Sequence, residues 1–154
     1  MKLRFLCAAH RKELETHMDK TLKFCQTGFD TGQFYNDQLQ WKEAIPHLGC
    51  AFEVAEILLT RNAIDSEVAC DWLATSAIML ALSFNNMQHT SQAEDVLWMA
   101  INRLKEQLAH QPAQVLWMDE YLKPLYAELK TYIQIAFKGH SFSARPSNTL
   151  QLVH

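Results

Sequence analysis

The sequence predicts an all-α chain of antiparallel helical hairpins, about six helices in all. Three observations carry that reading. The 154 residues include only four Gly and four Pro, whereas an all-β chain needs turn-makers roughly every 8–12 residues. The long segments are dominated by Ala, Leu, Gln, Glu and Lys, which are strong helix formers. Apolar side chains recur at three- and four-residue spacing along almost the whole chain, the period of a helix with one buried face. At 49% hydrophobic and 20% charged, a chain of this length can bury one core without disulfides or metal.

The elements follow in order. A first helix is expected over about 7–25, with Leu14, Met18, Leu22 and Cys25 as its apolar stripe. Gly28, Asp30 and Gly32 read as a break, followed by a short helix over about 30–39. A third runs over 41–60 and buries Ala44, Leu48, Ala51, Phe52, Ala55 and Leu58, with Pro46 bending its entry. Residues 62–65 form a turn, and Asp65 or Ser66 caps the next start. The fourth helix, about 66–87, carries Val68, Trp72, Leu73, Ile78, Met79, Leu80 and Leu82. Being apolar on several faces, it belongs at the centre. The fifth begins at Thr90 or Ser91 and presents Ala93, Leu97, Ala100, Ile101 and Leu104. Pro112 suits the first turn of a sixth, which is kinked at Pro124 and stopped by Gly139. The expected organisation is one helical domain over 1–138 and a mobile tail over 139–154, rich in Ser, Asn and Pro.

Bulk charge narrows the function. A net charge of −3 and a pI near 6.1 give no basic footprint for nucleic acid. The charge is uneven, however. Residues 1–24 hold Lys2, Arg4, Arg11, Lys12, Lys20 and Lys23 against three acids, while 25–60 hold Lys42 alone against five. Complementarity within the molecule, or chance, is the expectation. Cys7, Cys25, Cys50 and Cys70 are widely spaced and read as reduced thiols of a cytoplasmic protein. The apolar run Phe5–Ala9 is too short for a secretory segment, and no continuous apolar stretch long enough to span a membrane is present. Neither a nucleic-acid nor a membrane partner is expected.

Chemistry finds little material. Phosphate-cradling Gly-rich loops and the G-x-S-x-G nucleophile motif are absent from the sequence. Cys7, His10 and His17 could share a helix face, but a structural zinc site wants four ligands and no second pair lies at metal spacing. Cys7 reads instead as a small buried apolar group. Glu13/His17 and Glu43/His47 are spaced by four, not the three of a di-iron bundle. The expectation is no enzyme, no cofactor and no metal, and a small helical metal protein or enzyme built on Cys7, His10 and His17 is the rival from another class.

An internal repeat is visible. At a constant offset of 49, Gly32 falls on Ala81, Tyr35 on Phe84, Asn36 on Asn85, Ala44 on Ala93, Leu48 on Leu97 and Ala51 on Ala100. Small residues belong where two helices approach closely, and the aromatic fills the space at the other end of the crossing. Gly32 and Ala81 should then face Ala44 and Ala93.

With Trp41 ahead of the second helix, these residues resemble the tetratricopeptide repeat (TPR) over about 25–107. That family's unit is a helix-turn-helix of about 34 residues, so the offset here is about 15 longer. Thr31 stands where the family has a large apolar residue. The resemblance implies a right-handed stack of hairpins with a groove lined by first helices. Carried over, the groove residues are Gln26, Phe29, Gln33, Asn36 and Asp37, then Thr75, Ile78, Leu82, Asn85 and Asn86. Their amides suit an extended peptide's backbone and their apolar members its side chains. Asn36 and Asn85 are expected to serve the groove, with capping or turning the first helices as the alternative. Phe29 and Gln33 stand where family members that clamp an acidic C-terminus place Lys and Asn, which argues against such a clamp. The implied function is a non-catalytic adaptor for a peptide or protein partner. A regulator or secretion chaperone for one client is the alternative, and a homodimer is compatible with the exposed end helices of so short an array.

Overall fold

The computed structural model describes residues 3–143. Its elements are α1 (Ala8–Thr16), α2 (Met18–Asp37), α3 (Trp41–Thr60), α4 (Ser66–Asn86), α5 (Thr90–His110) and α6 (Val115–Ser143), with a 3₁₀ turn at Pro112–Gln114 before the last. The fold is all-α, with six helices and no strand among the described residues.

The start of the chain departs from expectation. Cys7 is extended and exposed, and its Sγ accepts the His10 N–H at 3.4 Å, so it caps α1 and is not a buried apolar group. The helix then breaks at His17, whose φ of −120° and ψ of 80° are not helical. There the Thr21 hydroxyl, itself buried, donates to the carbonyl oxygens of Leu14 and His17, which answers the acceptors a helix end leaves open. The expected break at Gly28, Asp30 and Gly32 does not occur, and α2 runs through all three.

Contact with α3 explains the difference. A Cβ on Gly32 would lie 2.6 Å from the Leu48 side chain, and one on Gly28 would lie 3.2 Å from the His47 carbonyl. Both glycines therefore admit a close helix approach and do not punctuate. The residue met by Gly32 is Leu48, one turn beyond the expected Ala44. Leu22, expected in the stripe, is exposed, whereas Leu14 and Cys25 are buried.

The later bounds follow local signals. Pro46 lies inside α3 without ending it. Asp65 Oδ1 accepts the N–H of Glu67 at 3.0 Å and of Val68 at 3.3 Å, a side-chain N-cap for α4. Gly139 does not stop α6, which carries on to Ser143. Of the expected tail, residues 144–154 lie outside the described residues.

The helices order themselves around α4. Each helix from α2 to α6 packs on its neighbour in sequence, and α4 also touches α2 and α6. Short connections between strongly packed neighbours make them antiparallel pairs. The core is continuous through Leu48, Phe52, Leu58, Leu73, Leu80, Leu97, Ile101, Leu104, Met118 and Leu125. By length and hydropathy α4 could cross a membrane, but the rest of the chain folds around that apolar length.

Helices α2, α3 and α4 end in the same left-handed turn, at Leu39, Asn62 (φ 49°) and Gln88. At the offset of the sequence repeat, Leu39 and Gln88 take left-handed φ values of 58° and 66°. The Gln40 N–H donates to Tyr35 O at 2.9 Å, as the His89 N–H does to Phe84 O at 2.8 Å, and Leu39 to Asn36 O as Gln88 to Asn85 O, both at 3.0 Å. Residues 41 and 90 then open the second helix of each unit.

Candidate functional site

The ten groove positions divide between α2 and α4, and the structure treats them unequally. Gln26, Gln33, Asp37, Leu82 and Asn86 are exposed, while Phe29, Thr75, Ile78 and Asn85 are half-buried. Their spacing puts Gln26, Gln33 and Asp37 along one line of α2, and Thr75, Leu82 and Asn86 along one line of α4. The two helices meet where Asn36 Nδ2 donates to Ser83 Oγ at 3.0 Å and to Met79 O at 3.4 Å.

That contact corrects the expectation for the paired asparagines. Asn36 is buried between the repeats and presents no amide to a ligand. Asn85 Oδ1 accepts from Thr90 Oγ1 at 3.3 Å, across the turn between α4 and α5. The same residue type at the same repeat position thus joins helices in one copy and steadies a turn in the other. Asn86 Nδ2 is bonded back to Leu82 O at 2.9 Å, and Thr75 Oγ1 to Asp71 Oδ1 at 3.4 Å. What faces solvent is an apolar and amide surface of Phe29, Ile78 and Leu82 beside Gln26, Gln33 and Asp37.

Cys7, His10 and His17 do not converge. Cys7 caps α1, the exposed His10 ring lies against Phe24 with centroids 5.7 Å apart, and His17 forms the break. No group of three or more His, Cys, Asp or Glu able to hold a metal occurs among the described residues.

A second constellation escaped the sequence reading. Leu3–Leu6 lie against α3, and the buried carboxylate of Glu53 collects three donors there. Its Oε1 accepts the N–H groups of Phe5 and of Leu6, and its Oε2 accepts Arg11 Nη1 at 3.4 Å. One turn earlier on α3, a Cβ on Gly49 would lie 2.2 Å from the Phe5 ring. The ring also lies 6.4 Å from that of Phe84, and the Cys50 thiol donates to Phe5 O at 3.9 Å. Here Arg11 of the basic first segment meets Glu53 of the acidic one. The available signals were a glycine inside a long helix and the carboxylate of Glu53 within the otherwise apolar run 51–55.

Burial pushes Cys25 and Cys70 up to about 12, Asp65 and Glu67 adding to the rise at Cys70 against Arg103. Cys50 is raised by burial and by Glu53.

Fold and surface together define an all-α protein of packed helical hairpins. In comparisons with known proteins, no family model, no curated protein and no solved structure matches the chain.

Proposed function

We propose that this chain is a non-catalytic, TPR-like adaptor that holds a peptide or protein partner on the face shared by α2 and α4. The observation that carries the reading is the open apolar surface there. Leu82 is 37% exposed, and Phe29 and Ile78 are half-exposed beside amides. Two adjoining helix faces of that make-up suit an extended segment, its apolar side chains on Phe29, Ile78 and Leu82 and its backbone on the amides. With Asn36 committed to the fold, the proposed contact set contracts to Gln26, Phe29, Gln33, Asp37, Ile78 and Leu82.

The test compares immobilised wild type with a Gln33→Ala, Leu82→Glu variant for polypeptides retained from the native cell and identified by mass spectrometry. Both substitutions are on exposed positions and should leave melting unchanged. A partner held by wild type and lost by the variant is the expected result. Identical retention by two equally folded proteins overturns the assignment of this face.

A further inference from the structure

We infer that the channel between α3 and α5 is a separate peptide-binding site, which this chain fills in cis with Leu3–Leu6. Its proposed occupant in trans is an extended segment of a partner polypeptide that alternates basic and apolar residues around one aromatic anchor. The inference shares no residue with the α2–α4 face and does not rest on it.

The receptor is built into α3. Gly49 opens a slot that a methyl group would close, and the Phe5 ring occupies it. Glu53, four residues on and therefore on the same helix face, turns a buried carboxylate toward the backbone of the bound segment. It accepts the N–H groups of Phe5 and Leu6 together with the Arg11 guanidinium. A buried carboxylate is stable only when such donors reach it. Backbone N–H groups are offered by any extended chain, so this half of the recognition is indifferent to sequence, whereas the ring slot is selective.

The channel continues beyond Leu3. Leu3 and Arg4 lie among Arg11, Glu53, Glu56 and Met99. Glu56 and Met99 also line an adjoining cleft of about 250 Å³, with Phe52 and Leu73 as its floor and Asn102, Arg103 and Glu106 along α5. Glu53, Glu56 and Glu106 line the path together with Arg11 and Arg103, and Lys2 and Arg4 make this chain's own segment basic. The mode of attachment makes exchange feasible. Leu3–Leu6 are not in a helix or a ladder, and the helix they lead into is linked to α2 through the break at His17. A partner segment offering the same ring, N–H groups and charges replaces each contact that is lost.

The experiment uses the full chain and a fluorescently labelled peptide of residues 1–8 carrying Cys7→Ser. The protein variant Phe5→Ala, which vacates the slot and keeps Gly49 and Glu53, should bind the peptide at least about tenfold more tightly than wild type, whose own segment competes. Adding Glu53→Gln should abolish that gain. Peptides carrying Phe5→Ala, or Glu in place of Lys2 and Arg4, should bind at least about tenfold more weakly. Should Phe5→Ala not fold, amide exchange at Phe5 and Leu6 in wild type reads the same event, because saturating peptide should accelerate it. A folded Phe5→Ala protein that ignores the peptide, equal binding of all peptides, or unchanged exchange in wild type each overturns the inference. So does a wild-type dimer that Phe5→Ala converts to monomer, since the occupant is then a second copy.

Discussion

Asn36 on α2 donates its side-chain amide to the hydroxyl of Ser83 on α4 at 3.0 Å, and both groups are buried. Ser83 in turn donates to Met79 O at 3.0 Å, so one short polar chain fixes the approach of the first repeat to the second. Its loss should be felt in stability. Asn36→Ala is expected to lower the unfolding free energy by about 0.5–1.5 kcal/mol, the net worth of a typical buried hydrogen bond. Asn85→Ala removes a half-buried turn contact and should cost no more than about 0.5 kcal/mol. Urea melts of the two variants check the difference. Equal losses would mean that the contact between repeats contributes nothing beyond the turn.

Gly32 and Gly28 separate two kinds of helix glycine. Ala at either site gains helix propensity of about 1 kcal/mol. At Gly32 the new methyl runs into buried Leu48 at 2.6 Å, and overpacking of that kind costs about 1–3 kcal/mol. At Gly28 the tightest neighbour is a carbonyl oxygen at 3.2 Å, with ordinary contact to Ala51. Gly32→Ala should therefore destabilise, and Gly28→Ala should lie within about 1 kcal/mol of wild type. Thermal melts followed by circular dichroism decide it, and a more stable Gly32→Ala would contradict the packing account.

These contrasts show what was legible in the sequence. The bounds of α3 and the start of α5 could be read from the apolar period, and the start of α4 from its Asp65 cap, because these signals act through near neighbours. The break at His17 could not, because it depends on the Thr21 hydroxyl reaching back to Leu14, and neither could the unbroken helix through Gly28 and Gly32, which α3 holds by close contact. Gly139 misled for the converse reason, since glycine permits a helix end without requiring one. The left-handed turns at Leu39 and Gln88 were hidden, as neither residue type favours that region. On the candidate faces, residue type located the α2–α4 surface but could not distinguish Asn36, turned inward, from Gln33, turned out. The Phe5–Gly49–Glu53 constellation joins positions far apart in sequence, and only the fold brings them together.

The cysteines should divide by burial. Cys7 is exposed, whereas Cys25 and Cys70 are buried and pushed to about 12. In native protein at pH 8, a thiol reagent is expected to modify Cys7 first and to leave Cys25 and Cys70 intact until denaturant is added. The same shifts set the sign of a pH effect. A thiol held neutral by the fold contributes stability that is complete below its ordinary value of 9.0 and is lost as pH rises toward 12. Melting temperature should therefore fall between pH 9 and 12. Replacing Cys25 and Cys70 by Ala should flatten that slope while lowering stability at neutral pH. Modification of Cys25 in the native state as fast as Cys7 would contradict the burial.

Pro124 offers a gain. It is exposed inside α6, where its ring removes one N–H and crowds the Glu120 carbonyl, at a cost of about 3 kcal/mol in a regular helix. Its exposed ring implies little packing to lose. The opposing effect is a looser unfolded chain, worth about 0.4–1 kcal/mol. Pro124→Ala should accordingly stabilise by about 2–2.5 kcal/mol, which for a chain of this size raises the melting temperature by about 2–4 °C per kcal/mol. Thermal unfolding measures it directly. A fall would show that the proline bends α6 so that Leu122 and Leu125, both buried on either side of it, reach the core together, and that straightening the helix pulls one of them out.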